Sequence, residues 1–231
     1  MVPVIPKKTT LLIGIAILLA TQFAFTLFGG SALLYLFNVK EIDATVFAAS
    51  RVLFWISLVV IFIYARKAEK QKLLAWEERK LQFWEYLVSV MAIFFALIVG
   101  LIIIGGLLIN FGFEKESPKF LRMLGIFREN HLLIFLTAFT AGIVEELTFR
   151  GYLLPRMTIL LKNPALAIFI SSVLFGLLHF GYGTVMQLVG PFFIGLIFAI
   201  YYYNFRNIKV LIFCHIVWDL MAIYLNIWFT K

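Results

Sequence analysis

Glu145, Glu146, His179, His215 and Asp219 all lie inside long apolar stretches of a chain of 231 residues. Of its 12 acidic residues, nine fall in connectors or at helix ends and Glu145, Glu146 and Asp219 do not; His179 and His215 are two of only 3 histidines. A charge at the centre of a bilayer costs about 2.5–3.5 kcal/mol on insertion scales, so each such residue needs an internal partner and marks a functional site by default. Carboxylates and imidazoles brought together suit one chemistry above others. A carboxylate can deprotonate a positioned water, and a second group can stabilise the oxyanion that forms when that water attacks a carbonyl.

Spacing divides the roles. Glu146 and Arg150 are four residues apart, in the order that pairs across one helical turn. Glu145 is rotated by about 100° from Glu146, so one carboxylate can neutralise Arg150 while the other faces a polar cavity. His215 and Asp219 share a helix face by the same spacing, as do Phe175 and His179. Glu145 lies 18 residues before Asn163 and His179 lies 16 after it. Two antiparallel helices joined near Asn163 therefore carry these residues at one depth. Nucleophilic alternatives are weak. Ser171 and Ser172 lie in no Gly-x-Ser-x-Gly elbow, and Cys214 diverges from its neighbour His215 by about 100° on a helix.

The elements that must hold these residues follow from composition. Hydrophobic residues make up 63% of the chain, charged residues 14%, and the mean hydropathy is +1.02. Soluble domains run at roughly 45–50% apolar and about 25% charged, so the sequence predicts an all-α, polytopic membrane bundle. Seven spans of about 20 apolar residues are expected over 11–37, 45–64, 84–109, 131–150 and onward, 164–180, 185–203 and 210–229. The first exceeds the roughly 7–15 apolar residues of a signal peptide and reads as a retained helix, interrupted or tilted near Gly29–Gly30. Pro155 and Pro191 predict bends. The five ionisable residues occupy the last four spans and none occupies the first three. Residues 1–130 thus read as a frame of helices and connectors, and 131–231 as the catalytic bundle.

Two connectors carry structure of their own. Residues 65–82 are rich in Lys, Arg and Glu and read as a solvated cytoplasmic helix. Residues 118–128 place Phe120, Met123, Leu124 and Phe127 at helical spacing, which predicts a short helix in the headgroup layer. The net charge of +8 suits anionic lipid headgroups rather than nucleic acid. With the N-terminus inside, most basic residues lie on the cytoplasmic side, Arg150 and Arg156 included. The single cysteine, Cys214, excludes a disulfide framework.

Three motifs then carry a family resemblance. Glu145–Arg150 fits EExxxR, Phe175–His179 fits FxxxH, and His215–Asp219 fits HxxxN with Asp in the last place. Over about residues 131–229 the chain resembles the CAAX protease and bacteriocin-processing (Abi) family of intramembrane proteases. The resemblance implies a glutamate-dependent, metal-independent endopeptidase that needs no cofactor. Glu145 would be the general base, His179 would help to hold and activate the water, and His215 and Asp219 would stabilise the oxyanion. Asp219 departs from the pattern, because an ionised Asp cannot donate a hydrogen bond. Either it is protonated, or it orients His215 and leaves that ring as the donor; the second is the preferred expectation. The implied substrate is a membrane-associated protein or peptide, lipid-modified in some relatives. A sensor or signalling protein is a further partner class, and a prokaryotic plasma membrane is the implied setting.

Other readings stay open on the residues alone. Glu145, His179 and His215 could ligate zinc, and sensitivity to a chelator would reveal it. A non-enzymatic immunity or regulatory partner would tolerate loss of Glu145. A transporter with a proton relay would need polar residues in more of the early spans.

Overall fold

The computed structural model describes residues 6–114 and 116–230. Among these the chain is helical throughout its ordered elements, with no strand. The helices are α1 (Lys8–Phe37), α2 (Ala44–Lys67), α3 (Phe83–Asn110), α4 (Pro118–Glu129), α5 (His131–Glu145), α6 (Leu154–Leu161), α7 (Pro164–Leu178), α8 (Met186–Phe205) and α9 (Ile208–Phe229). A π-helical segment, Glu146–Leu153, joins α5 to α6 in one continuous rod, and a 3-10 turn, Phe180–Tyr182, follows α7. Seven of these segments are long and apolar enough to cross a membrane, so the protein is a multi-pass membrane protein.

Local chemistry sets the helix starts. Asp43, Ser117, Asn163 and Asn207 each accept a hydrogen bond from a backbone N–H in the first turn of α2, α4, α7 and α9, and Pro118 and Pro164 follow two of these caps. Pro155 cannot donate to the preceding turn, and the helix widens into its π form just before it. Side chains take up carbonyls there: Thr148 Oγ1 donates to Val144 O at 2.7 Å, and Arg156 Nη1 to Tyr152 O at 3.1 Å. Pro191 lies within α8, which runs on through it. Of the interruption or tilt expected near Gly29–Gly30, the interruption is absent, since α1 is continuous from Lys8 to Phe37.

The rod from His131 to Leu161 is the centre of the bundle. Within its most apolar window 61% of residues are buried, against 11–33% in the other six spans. It packs against α2, α7 and α9, while α3 packs on α8 and α9. One apolar core joins Leu18, Ile61 and Leu97 of the first three helices to Phe149, Phe198 and Leu211. Gly142 permits the close crossing of α5 and α9. A Cβ there would lie 2.4 Å from Ile216 Cγ1 and 3.1 Å from the Ile216 backbone nitrogen. Gly142→Ala should therefore lower thermal stability in detergent, by the about 1–3 kcal/mol typical of overpacking. An unchanged melting midpoint would show that the two helices separate freely.

The connector at 68–82 is not the solvated helix expected from its charges. It is an irregular strap drawn onto the bundle by its own carboxylates. Glu69, with a fully buried side chain, accepts from Arg156 Nε at 2.8 Å and Nη2 at 2.5 Å, and from Tyr152 OH at 2.6 Å. Glu78 accepts from Tyr202 OH at 2.7 Å and from the Ile208 backbone nitrogen, also at 2.7 Å, at the start of α9. A carboxylate at that end complements the helix dipole. Arg150 and Arg156 are themselves buried, so neither faces lipid headgroups and neither reports orientation. The short helix expected at 118–128 is α4, whose Leu124 and Phe127 pack under residues of α2, α5 and α9.

Candidate active site

The junction between α5 and the π-helical segment sends its two carboxylates to different places. Glu146 is completely buried, whereas Glu145 keeps 12% of its side chain exposed. Glu146 Oε1 accepts from Arg150 Nη1 at 2.9 Å, the pairing expected from their spacing. The same oxygen lies 2.7 Å from His215 Nδ1. Glu146 thus ties the central rod to α9 as well as to its own arginine. Arg150 also donates to Gly195 O on α8 at 3.2 Å and lies 4.4 Å over the Phe175 ring.

His215 is oriented by that contact. Its Nε2 then points between Glu145 Oε2, at 3.9 Å, and Asp219 Oδ2, at 3.6 Å. Both separations exceed hydrogen-bonding distance. The contact of hydrogen-bonding length on His215 comes from Glu146, and Asp219 lies within ion-pair distance of its Nε2. Asp219, with 26% of its side chain exposed, faces the open side of the ring. His179 caps the end of α7, and its Nδ1 lies 3.0 Å from Phe175 O. A carbonyl only accepts, so Nδ1 carries the proton and Nε2 is left as an acceptor. Phe175 packs against both imidazoles, with ring centroids 5.1 Å from His179 and 6.2 Å from His215.

Glu145, His179, His215 and Asp219 line one cavity of about 330 Å³. Thr137, Gln187, Trp218 and Asn226 contribute to its wall, with α4 at one side through Phe120, Met123 and Phe127. Among the described residues, Glu145 Oε2 is buried without a hydrogen-bond partner, as is Gln187 Oε1. No group of three His, Cys, Asp or Glu side chains there has an arrangement that would hold a metal ion. Cys214 is buried in the apolar core.

Two participants escaped the sequence reading. Arg51, from α2, lines this cavity although the first three spans were expected to carry no such group, and Tyr182 lines it from the turn after α7. The signal for Arg51 was present: it is an arginine inside an apolar span, the same anomaly that marked the acidic residues. Tyr182 is one of 9 tyrosines and nothing in the sequence distinguishes it.

Residues 127–221, which include Glu145, His179, His215 and Asp219, match the family model described as type II CAAX prenyl endopeptidase Rce1-like. All three motifs fall within this segment, so the match is to the CAAX protease family that they resemble. No curated protein and no solved structure matches the chain significantly.

Proposed function

We propose that the protein is a glutamate-dependent, metal-independent intramembrane endopeptidase. The observation that carries this reading is the convergence of Glu145, His179 and His215 on one cavity, with Glu146 fixing His215 from behind. Glu145 takes a proton from a water that also donates to His179 Nε2. The hydroxide adds to the scissile carbonyl carbon, and the oxyanion forms beside His215. With Nδ1–H committed to Glu146, His215 Nε2 donates to that oxyanion as the imidazolium. When the C–N bond breaks, the proton held by Glu145 passes to the departing amine. Asp219, whose Oδ2 lies 3.6 Å from His215 Nε2, acts as an electrostatic partner of the imidazolium.

The substrate in this reading is a membrane-associated protein or peptide, which the family's description extends to prenylated chains. With the N-terminus cytoplasmic, the strap at 68–82 lies inside. The cavity then opens toward the outer leaflet, because it is lined by α4 and by the C-terminal half of α9, away from the strap. A prokaryotic plasma membrane, contacts with anionic lipids and a signalling partner fit the same proposal.

Comparing membrane and secreted peptides from cells carrying the wild type and Glu145→Ala should reveal fragments that need the glutamate. If the variant supports the same biological activity, the protein acts by binding. Cleavage by purified protein should persist in excess chelator. Stoichiometric zinc whose removal abolishes cleavage and whose return restores it would establish a metalloprotease instead.

A further inference from the structure

Arg51 is a cation within a membrane-spanning helix that forms no ion pair among the described residues. Its Nε and Nη2 share one acceptor, Ser50 Oγ, at 3.3 and 3.1 Å. Its guanidinium lies 4.7 Å from the Phe47 ring centroid and 5.0 Å from that of Phe54. A guanidinium carries more donors than Ser50 can satisfy, and its fork matches a carboxylate.

Its position is built. One helical turn further along α2, Trp55 Nε1 donates to Thr140 Oγ1 of α5 at 3.1 Å, which fixes the helix beside the rod that carries Glu145. Arg51 lines the site cavity and also a second, adjoining cavity of about 160 Å³, and Glu145, His179 and Tyr182 border both. Lys119 of α4 is the other cation on the smaller cavity, whose remaining wall is mainly Phe25, Ile42, Val46 and Phe54. Ser117 Oγ donates to Tyr182 O and so holds the start of α4 against this wall. The space therefore offers two cations and an apolar lining immediately beside the reacting carboxylate.

We infer that Arg51, with Lys119, forms a subsite for a carboxylate of the substrate beside the scissile bond, carried on an apolar residue or peptide end. This rests on the peptidase reading and adds a specificity determinant from outside the segment that matches the family. The carboxylate has two sources, a free chain terminus or an acidic side chain. Glu145 and Asp219 repel an anion placed directly among them, so the carboxylate sits on the Arg51–Lys119 side.

The test uses full-length protein in detergent and fluorescently labelled apolar hexapeptides of one sequence, ending in a free carboxylate or an amide. Binding is read by anisotropy. The wild type should bind the acid tighter by about tenfold or more, the scale of a charge-assisted hydrogen bond. Arg51→Gln should lose this ratio, and Arg51→Lys should retain part of it. An amidated peptide with an internal Glu that binds like the acid assigns the side-chain source; one that binds like the plain amide assigns the terminus. A diazirine at the last residue of the acid peptide should crosslink to α2 near residue 51 in the wild type, which needs no variant to fold.

Equal binding of acid and amide by the wild type overturns the subsite. So does a ratio that survives in Arg51→Gln, or a crosslink that avoids α2. Cleavage of the same peptides is scored separately. Glu145-dependent cleavage without acid preference removes the subsite and leaves the peptidase. Acid preference lost in Arg51→Gln, with no Glu145-dependent cleavage, keeps the subsite and removes the peptidase.

Discussion

Glu145→Gln should fold as the wild type does and hydrolyse almost nothing. The carboxylate has no obligatory cation: its nearest recorded ionisable contact is His215 Nε2 at 3.9 Å, and Oε2 has no hydrogen-bond partner among the described residues. An amide of the same shape costs the fold little, but it cannot take a proton from water. Loss of a general base commonly lowers rates by about 10²–10⁴-fold. Thermal unfolding in detergent and cleavage of a peptide found in the proteomic comparison measure the two halves of the expectation. A variant that keeps most of its rate would move the base elsewhere.

Glu146→Ala should fail differently, losing folded protein as well as activity. Glu146 and Arg150 are buried to 0% and 2% side-chain exposure, and removing one partner of a buried pair typically costs about 3–5 kcal/mol. Arg150 would retain Gly195 O and the faces of Phe175 and Phe198. His215 would lose the partner of its Nδ1, so any molecules that still fold should be nearly inactive. Glu146→Gln, which keeps an acceptor for Arg150, should recover much of the stability and little of the rate. The melting midpoint and the rate per folded molecule separate these effects. If Glu146→Gln folds well and is dead while Glu145→Gln cleaves, the two glutamates have exchanged roles.

The sequence disclosed the bundle and the motif residues for the same physical reason. Apolar runs declare membrane helices, and ionisable residues inside them stand out against that background. The one-turn spacing of Glu146 and Arg150 was enough to foresee their pairing. The contact between Glu146 and His215 was not legible, because it spans 69 positions in the chain and depends on Gly142 letting α9 approach. Charge density misled in the connector. Lys and Glu at high frequency read as a solvated helix, yet Glu69 and Glu78 are committed to Arg156 and to the start of α9. No periodicity encodes such distant partners. Arg51 belongs to no motif, and its place on the cavity depends on how α2 packs beside the central rod.

The two buried arginines of the central rod differ in when their partners become available. Glu146 leaves the ribosome just ahead of Arg150, and the pair can enter the membrane already neutralised within one turn of helix. Arg156 depends on Glu69, synthesised 87 residues earlier and delivered only when the strap folds back onto the rod. Until then its charge must remain at the aqueous boundary. A chain begun at His131 would contain all three motifs and still leave Arg156 without Glu69. Biogenesis of the rod is completed by a glutamate made before any of its own residues.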